Sequence, residues 1–222
     1  MAQVEPSLRV AYSRDLGLGT AAPQVTRCTD AAAALFAATL GAQVEEAAPD
    51  LSDAEQIGMT IWAVQMGYAA KTQILSRIDR SQVDPALLRL LDQAERVGPY
   101  DYYEALVIRR GALYQRVRRF FATYDLLLTP TLLVPPFPHP GWEAGPTAIA
   151  GRPINPMLGW LLTYPFNLTG QPAISVPCGF SDEGLPIGLQ IVGRRHADAA
   201  VLRAAAAYEH AASWAEQRPP LN

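Results

Sequence analysis

Residues 8–46 read LRVAYSRDLGLGTAAPQVTRCTDAAAALFAATLGAQVEE, and this stretch decides the fold class. The apolar run Leu8–Tyr12 predicts a short strand, and Gln43–Glu46 predicts a second one. Between them, apolar residues at three- and four-residue spacings predict a helix from about Val25 to Leu40, which Gly41 would cap. A strand, a helix and a strand within about 40 residues form a βαβ unit, which favours parallel pairing and a layered α/β core.

The middle of the chain is predicted to be helical. Ser52 and Glu55 have the spacing of a capping box, and Asp84 with Pro85 marks a second helix start. A further helix carries one apolar stripe, formed by Tyr102, Leu106, Leu113, Val117 and Phe120. Three arginines flank that stripe, namely Arg109, Arg116 and Arg119. We interpret them as the solvated side of an amphipathic helix rather than as a nucleic-acid contact, because the chain is acidic overall.

The remainder of the sequence predicts strands and one long loop. Asp125–Thr129 is an apolar run of buried-strand length, and the proline-rich stretch VPPFPHPGW follows it. Prolines from Pro135 to Pro156 are expected to prevent regular pairing, which predicts a loop that forms a lid or a site wall. A polyproline ligand for an aromatic groove is the alternative. Two further strands, Ala173–Pro177 and Gly188–Gly193, precede a final helix from Ala197 to about Glu216.

Composition places the chain among globular proteins. Of its 222 residues, 50% are hydrophobic and 18% are charged, and the formal net charge is −3, which excludes a disordered chain. No apolar run reaches the ~18 residues needed to cross a bilayer, and the start MAQVEPSLRV lacks a secretory pattern. We therefore expect a cytoplasmic protein with a single domain over residues 1–222, and neither a membrane nor a nucleic acid as partner.

Few residues are placed to bind a metal or a cofactor. The cysteines and histidines are Cys28, Cys178, His139, His196 and His210, and their spacing fits no zinc site. Cys178 and His196 are a formally possible nucleophile and base, but Cys178 ends an apolar strand, so we favour a small buried thiol. Gly17-Leu18-Gly19 does not complete a dinucleotide-binding loop. We expect no metal and no cofactor.

The segments around the last two strands carry a recognisable pattern. It reads FNLTGQPAISVPCGF over residues 166–180 and GLPIGLQIVG over 184–193, with LRVAYSRDLG, LGAQVEEAAPD and YDLLLTPT earlier in the chain. This pattern closely resembles the C-terminal half of the amidase signature family, from about Leu8 to Trp214. The resemblance implies a mixed-sheet α/β/α layered fold, present here as an incomplete, C-terminal portion, and chemistry on amide C–N bonds.

The catalytic residues of the family have no counterpart in this sequence. Members of the family use two serines and a lysine, with the serines in or near a Gly-Gly-Ser-Ser segment. No such segment occurs here, and no two serines are adjacent. The single lysine, Lys71, lies in a helical run, and Ser175 matches a strand position that is not the nucleophile of the family. We assign no catalytic residue and expect the chain to be inactive alone.

The resemblance instead implies one wall of a substrate pocket. The substrate-side candidates are Thr131, Trp160, Thr163, Tyr164 and Asn167. For each aromatic among them, a simple core position is the alternative. Family subunits that amidate misacylated tRNA tend to carry an acidic residue near the position of Trp160, so the tryptophan is more similar to amidases that take apolar or aromatic amides.

Two functions remain open at this stage. The first is the C-terminal portion of an amide hydrolase, with an N-terminal amidase half or a second copy of the chain as partner and a small amide as substrate once completed. The second is a non-catalytic binding or association protein that keeps the fold. A neighbouring reading frame that encodes the missing half would favour the first.

Overall fold

The strands and helices come from a computed structural model that describes residues 8–39, 41–138, 145–212 and 214. The strands are β1 (Arg9–Tyr12), β2 (Gln43–Glu46), β3 (Leu126–Pro130), β4 (Ala148–Ile149), β5 (Arg152–Pro153), β6 (Ala173–Phe180) and β7 (Pro186–Gly193). The helices are α1 (Pro23–Thr39), α2 (Ala54–Ala69), α3 (Pro85–Ala94), α4 (Pro99–Tyr103), α5 (Arg110–Phe120), α6 (Tyr164–Thr169) and α7 (Asp198–Ala212). Two π-helical turns, Ala70–Ile74 and Glu104–Arg109, follow α2 and precede α5, and a 3-10 turn spans Arg80–Gln82.

The main sheet has five strands in the order β2-β1-β3-β7-β6. β1 pairs in parallel with β2, with Val10 opposite Val44, and in parallel with β3, with Ala11 opposite Leu127. β7 runs antiparallel to β3 and to β6. The predicted βαβ unit and the mixed α/β fold are therefore confirmed.

The sheet divides the core because successive strand residues point to opposite faces. On β3, Leu126 and Leu128 pack in the cluster that contains α7 residues, and Leu127 packs in the cluster that contains α2 and α5 residues. Phe36 of α1 stacks on Tyr208 of α7 with ring centroids 5.3 Å apart. Helices on both faces leave β3 fully buried, as its continuous apolar run predicts.

The two predicted helix starts have different outcomes. Asp84 accepts a hydrogen bond from the backbone amide of Ala86, and Pro85 is the first residue of α3, as expected. The capping box at Ser52 is wrong, because the Ser52 hydroxyl donates to Asp50 over 2.8 Å and α2 has no side-chain cap. A local Asx turn thus competes successfully with the helix cap.

The flanking arginines of α5 are less solvated than the sequence predicts. The Arg116 side chain is 22% exposed and pairs with Asp53, while Arg109 donates to Gln56 over 2.8 Å. Arg119 is exposed. The first two arginines therefore tie the helical segment around α5 to the start of α2, beside the buried stripe residues Leu113 and Val117.

The proline-rich region contains one element that the sequence did not predict. β4 and β5 form a two-stranded ladder around Ala150 and Gly151, both with positive φ, as a tight hairpin turn requires. Prolines therefore do not exclude pairing over the whole span. Part of the predicted loop, residues 139–144 with His139, lies outside the described residues, as does the expected end of the last helix at Glu216. No helix in the described ranges is long and apolar enough to cross a membrane.

Candidate functional site

The candidate site centres on α6, the short helix between the proline-rich region and β6. Pro165 lies in its first turn, where the missing amide hydrogen costs nothing. Gly170 ends the helix with φ of +75°, a left-handed conformation that favours glycine. These two local signals limit the helix to six residues, and the helix packs against α2 and α5.

A cleft of about 420 Å³ lies between α6, α2, the segment before α6 and the first residue of α5. Its lining consists of Gly58, Ile61, Trp62, Gln65, Arg110, Leu158, Leu161, Thr163, Tyr164, Asn167 and Leu168. The structure thus brings three of the five sequence candidates together: Thr163, Tyr164 and Asn167. Apolar walls with a few polar groups are typical of small-molecule sites.

Tyr164 and Asn167 present different chemistry to the cleft. Tyr164 is 9% exposed, and burial raises the pKa of its hydroxyl, with the carboxylate of Glu55 adding to the effect. The phenol therefore stays protonated and remains a hydrogen-bond donor at neutral pH. Asn167 is exposed, and its side-chain amide makes no hydrogen bond to another described residue. Its donor and acceptor are both available to a ligand.

Trp160 and Thr131 lie outside the cleft lining. The Trp160 indole donates to the carbonyl of Pro156 over 2.9 Å and meets the ring of Phe137 edge-on at 5.2 Å. The carbonyl of Thr131 accepts from the amide of Leu162 over 3.2 Å. Both residues help to fix the position of the segment before α6, although they do not line the cleft themselves.

The segment before α6 is also fastened to the sheet. Gln190 of β7 is 3% exposed, and its side-chain Nε2 donates to the carbonyl of Leu162 over 3.0 Å. The hydroxyls of Thr131 and Ser175 lie 2.6 Å apart above Gly188, where a Cβ would approach either oxygen to within 2.8 Å. Ser175 is therefore a strand hydroxyl in a close hydrogen bond with Thr131.

Comparison with known proteins identifies the family of the chain. The family model described as Amidase matches residues 1–202. The chain belongs to the amidase family.

Relatives of this amidase-family chain include an acylamidase and components of an amidotransferase. It is 38% identical to the acylamidase of Rhodococcus erythropolis, over 96% of this chain and 44% of the relative. It is 43% identical to a glutamyl-tRNA(Gln) amidotransferase component of Brevibacillus brevis, over 55% of this chain and 24% of that protein. The chain therefore spans less than half the length of these relatives.

Solved amidase structures show the same fold. A bacterial aryl acylamidase of the amidase signature family superposes with a TM-score of 0.85 at 27% identity, over 96% of this chain and 46% of that one. A 6-aminohexanoate cyclic dimer hydrolase with bound substrate gives a TM-score of 0.80 at 29% identity, over 99% of this chain and 48% of the other. The predicted family resemblance and mixed α/β fold are both confirmed.

The two cysteines of this amidase-family chain are free thiols, of which Cys28 is buried and Cys178 partly buried. Burial raises the pKa of Cys178 to about 12, with a smaller contribution from neighbouring Cys28. Cys28 is buried, and its Sγ donates to the carbonyl of Phe180 over 3.6 Å. His196 is exposed. Cys178 therefore lacks the lowered pKa of a thiol nucleophile, and the described residues hold no group of three metal ligands.

Sequence reasoning missed the contributions of α2 and α5 to the cleft. Ile61 and Trp62 belong to an apolar helix, and Trp62 is 37% exposed, a high value for a tryptophan in such a helix. Arg110 directly follows a π-helical turn, and π turns often mark functional sites. Arg109 turns toward Gln56 while Arg110 reaches the cleft. Neighbouring helix residues point about 100° apart, so the sequence alone does not show which of these two arginines faces the cleft.

Proposed function

We propose that this chain is the C-terminal portion of an amide C–N bond hydrolase, that it supplies one wall of the substrate pocket, and that it is inactive alone. The main support for this proposal is the cleft, because three of the residues that the family resemblance implies as substrate contacts line it together. We also propose that the protein is cytoplasmic, because its two cysteines are free thiols, as is usual in a reducing compartment.

The chemistry of the cleft suits binding rather than bond cleavage. Apolar walls from Ile61 and Leu168 favour an acyl or aryl group, while Asn167 offers donors and an acceptor to an amide. Burial of apolar groups there is worth ~0.8 kcal/mol per methylene. This is the scale of discrimination that we expect among amides of different length.

Inactivity alone is supported by the residues available for catalysis. Amide hydrolysis by a serine needs a base to take the hydroxyl proton and donors to stabilise the oxyanion. The only lysine, Lys71, is 69% exposed at its side chain and lies 3.9 Å from Glu95. Ser175 pairs with Thr131. No base contacts that serine hydroxyl within the described part of the chain.

The substrate proposed is an apolar or aromatic amide. An acylamidase relative that matches along 96% of this chain supports this choice over a tRNA-linked amide, since the amidotransferase component matches along only 55%. Trp160 then contributes indirectly, by holding the segment that precedes α6. The proposed partner is an N-terminal amidase half that carries the two serines and the lysine, and self-association is the alternative.

Co-expression tests this function. The chain would be produced with the N-terminal half of the Rhodococcus acylamidase relative and assayed on acetanilide, with each half alone as control. Hydrolysis by the complex and by neither half supports the proposal. Hydrolysis by this chain alone would contradict its inactivity. A chain that forms no complex and binds no amide would favour the non-catalytic alternative.

The reaction of the complex also tests the pocket wall. Asn167→Ala should lower kcat/KM for acetanilide by about tenfold, the scale of one lost hydrogen bond of ~1.4 kcal/mol. Thr72→Ala, on the exposed π turn after α2, is a matched control with no expected effect. Equal activity of both variants would show that Asn167 does not bind the substrate.

A further inference from the structure

A second depression lies next to the cleft, along α5. This depression has a volume of about 560 Å³ and shares Arg110, Asn167 and Leu168 with the cleft. Arg195, from the turn after β7, lines its far side. The cleft and the depression therefore adjoin at these three shared residues, which we call the junction, and a ligand that spans the junction would occupy both.

The charged residues that line the cleft and the second depression are all basic. Neither the cleft nor the second depression has an aspartate or glutamate among its described lining residues, although the chain has 21 acidic and 18 basic residues. Arg110 is exposed and makes no ion pair with another described residue, whereas the adjacent Arg109 lies 3.7 Å from Asp53. The guanidinium of Arg110 is thus free to bind an anion.

Arg195 is held beside the same junction by packing. Its guanidinium lies over the ring of Tyr114, 5.5 Å from the ring centroid. Its Nε lies 3.6 Å from the position that a Cβ would take at Gly170, so the side chain also packs against the end of α6. Stacking on an aromatic ring restricts an arginine without neutralising its charge. The second guanidinium therefore adds to the positive potential near Arg110.

We infer that Arg110, assisted by Arg195, recognises a carboxylate, and that the substrate class is an amide with an apolar group at one end and a carboxylate at the other. This rests on the proposed function of the cleft. The apolar group occupies the cleft beside Ile61 and Trp62, and the carboxylate reaches the second depression. Guanidinium groups suit this role because they bind carboxylates through paired, charge-assisted hydrogen bonds.

The expected selectivity is moderate because the site is open to water. A solvent-exposed ion pair typically contributes less than a buried one, and a second guanidinium adds to it. We expect a carboxylate probe to bind about two- to fivefold more tightly than its neutral analogue at low salt. Salt should reduce this preference, because the Debye length falls to ~3 Å at 1 M.

Calorimetric titration of the full chain with two probes tests the inference. The first probe is adipic acid monoanilide, and the second is the same molecule with a primary amide in place of the carboxylate. Arg110→Gln should abolish the preference for the first probe, and Arg195→Gln should reduce it. Arg203→Gln, an exposed arginine on α7, is the matched control and should keep it. Thermal melts would verify that every variant is folded.

The outcomes separate this inference from the proposed function. Equal binding of both probes, or a preference that survives Arg110→Gln, would overturn carboxylate recognition and leave the amide cleft in place. Binding of neither probe, to the chain or to its complex with an N-terminal half, would overturn both. A preference lost equally in Arg203→Gln would show a general charge effect and would also overturn the role of Arg110.

Discussion

Replacing Gln190 with methionine should destabilise the protein and loosen the segment that forms the cleft. Gln190 is 3% exposed and Leu162 is fully buried, and the side-chain amide of the first donates to the carbonyl of the second over 3.0 Å. Methionine has a similar length, so little volume changes. The buried carbonyl loses its side-chain donor, which costs ~1–3 kcal/mol in the free energy of unfolding. For a chain of this size, Tm should fall by about 2–12 °C.

Urea unfolding followed by circular dichroism would measure the loss, with an unchanged m-value as the sign that the native fold persists. Gln115→Met is the control, because Gln115 is exposed on α5 and bonds only to exposed Arg118 among the described residues. It should change stability by less than about 0.5 kcal/mol. Thr163 follows Leu162 directly, so Gln190→Met should also weaken binding of adipic acid monoanilide. Equal stability of the two variants would refute the role of this hydrogen bond.

Three further perturbations have definite expected outcomes. Thr129 is fully buried on β3, and its hydroxyl has no hydrogen-bond partner among the described residues. Thr129→Val should therefore raise the free energy of unfolding by about 1 kcal/mol in the same urea experiment. A loss of stability would show that the hydroxyl has a partner. Burial raises the pKa of Cys178 from its ordinary 9.0 to about 12, so protonation of this thiol stabilises the fold fully below pH 9, and this stability declines as pH rises toward 12. Native chain at pH 8 should therefore react slowly with a thiol-specific disulfide reagent until urea is added, and rapid reaction would contradict the buried environment. Tyr68, Tyr100 and Ile108 are 71%, 87% and 57% exposed, so the chain alone should bind a hydrophobic dye and scatter light increasingly with concentration. A monomer without dye binding at every concentration would count against an uncovered interface.

Local signals in the sequence determined much of the secondary structure. The βαβ pattern over residues 8–46 predicted β1, α1 and β2, since strand and helix periods depend on neighbours in the chain. The Asp84–Pro85 start and the glycine after α1 act over a few residues, and they too are legible from sequence. The order of motifs at 166–193 was enough to indicate the amidase family, which the family match confirms.

The resemblance to the amidase signature family pointed to the segment before and within α6. Thr163, Tyr164 and Asn167 line the cleft because they lie within five positions of each other on one short stretch, so placing that stretch places all three. Trp160 belongs to the same stretch but turns its indole to Pro156 and Phe137. Which way a side chain leaves an irregular segment depends on packing partners distant in sequence.

Only the tertiary structure decided what completes the cleft and what charge it carries. Ile61 and Arg110 lie on different helices and meet α6 because both helices pack against it. Arg109 bonds to Gln56 whereas Arg110 lines the cleft, and Ser52 does not cap α2 because its hydroxyl bonds to Asp50 instead. The physical reason is common to these cases. Periodicity and capping act over one or two turns of chain, whereas a cleft is assembled from surfaces whose distance and orientation are set by long-range packing on a shared sheet.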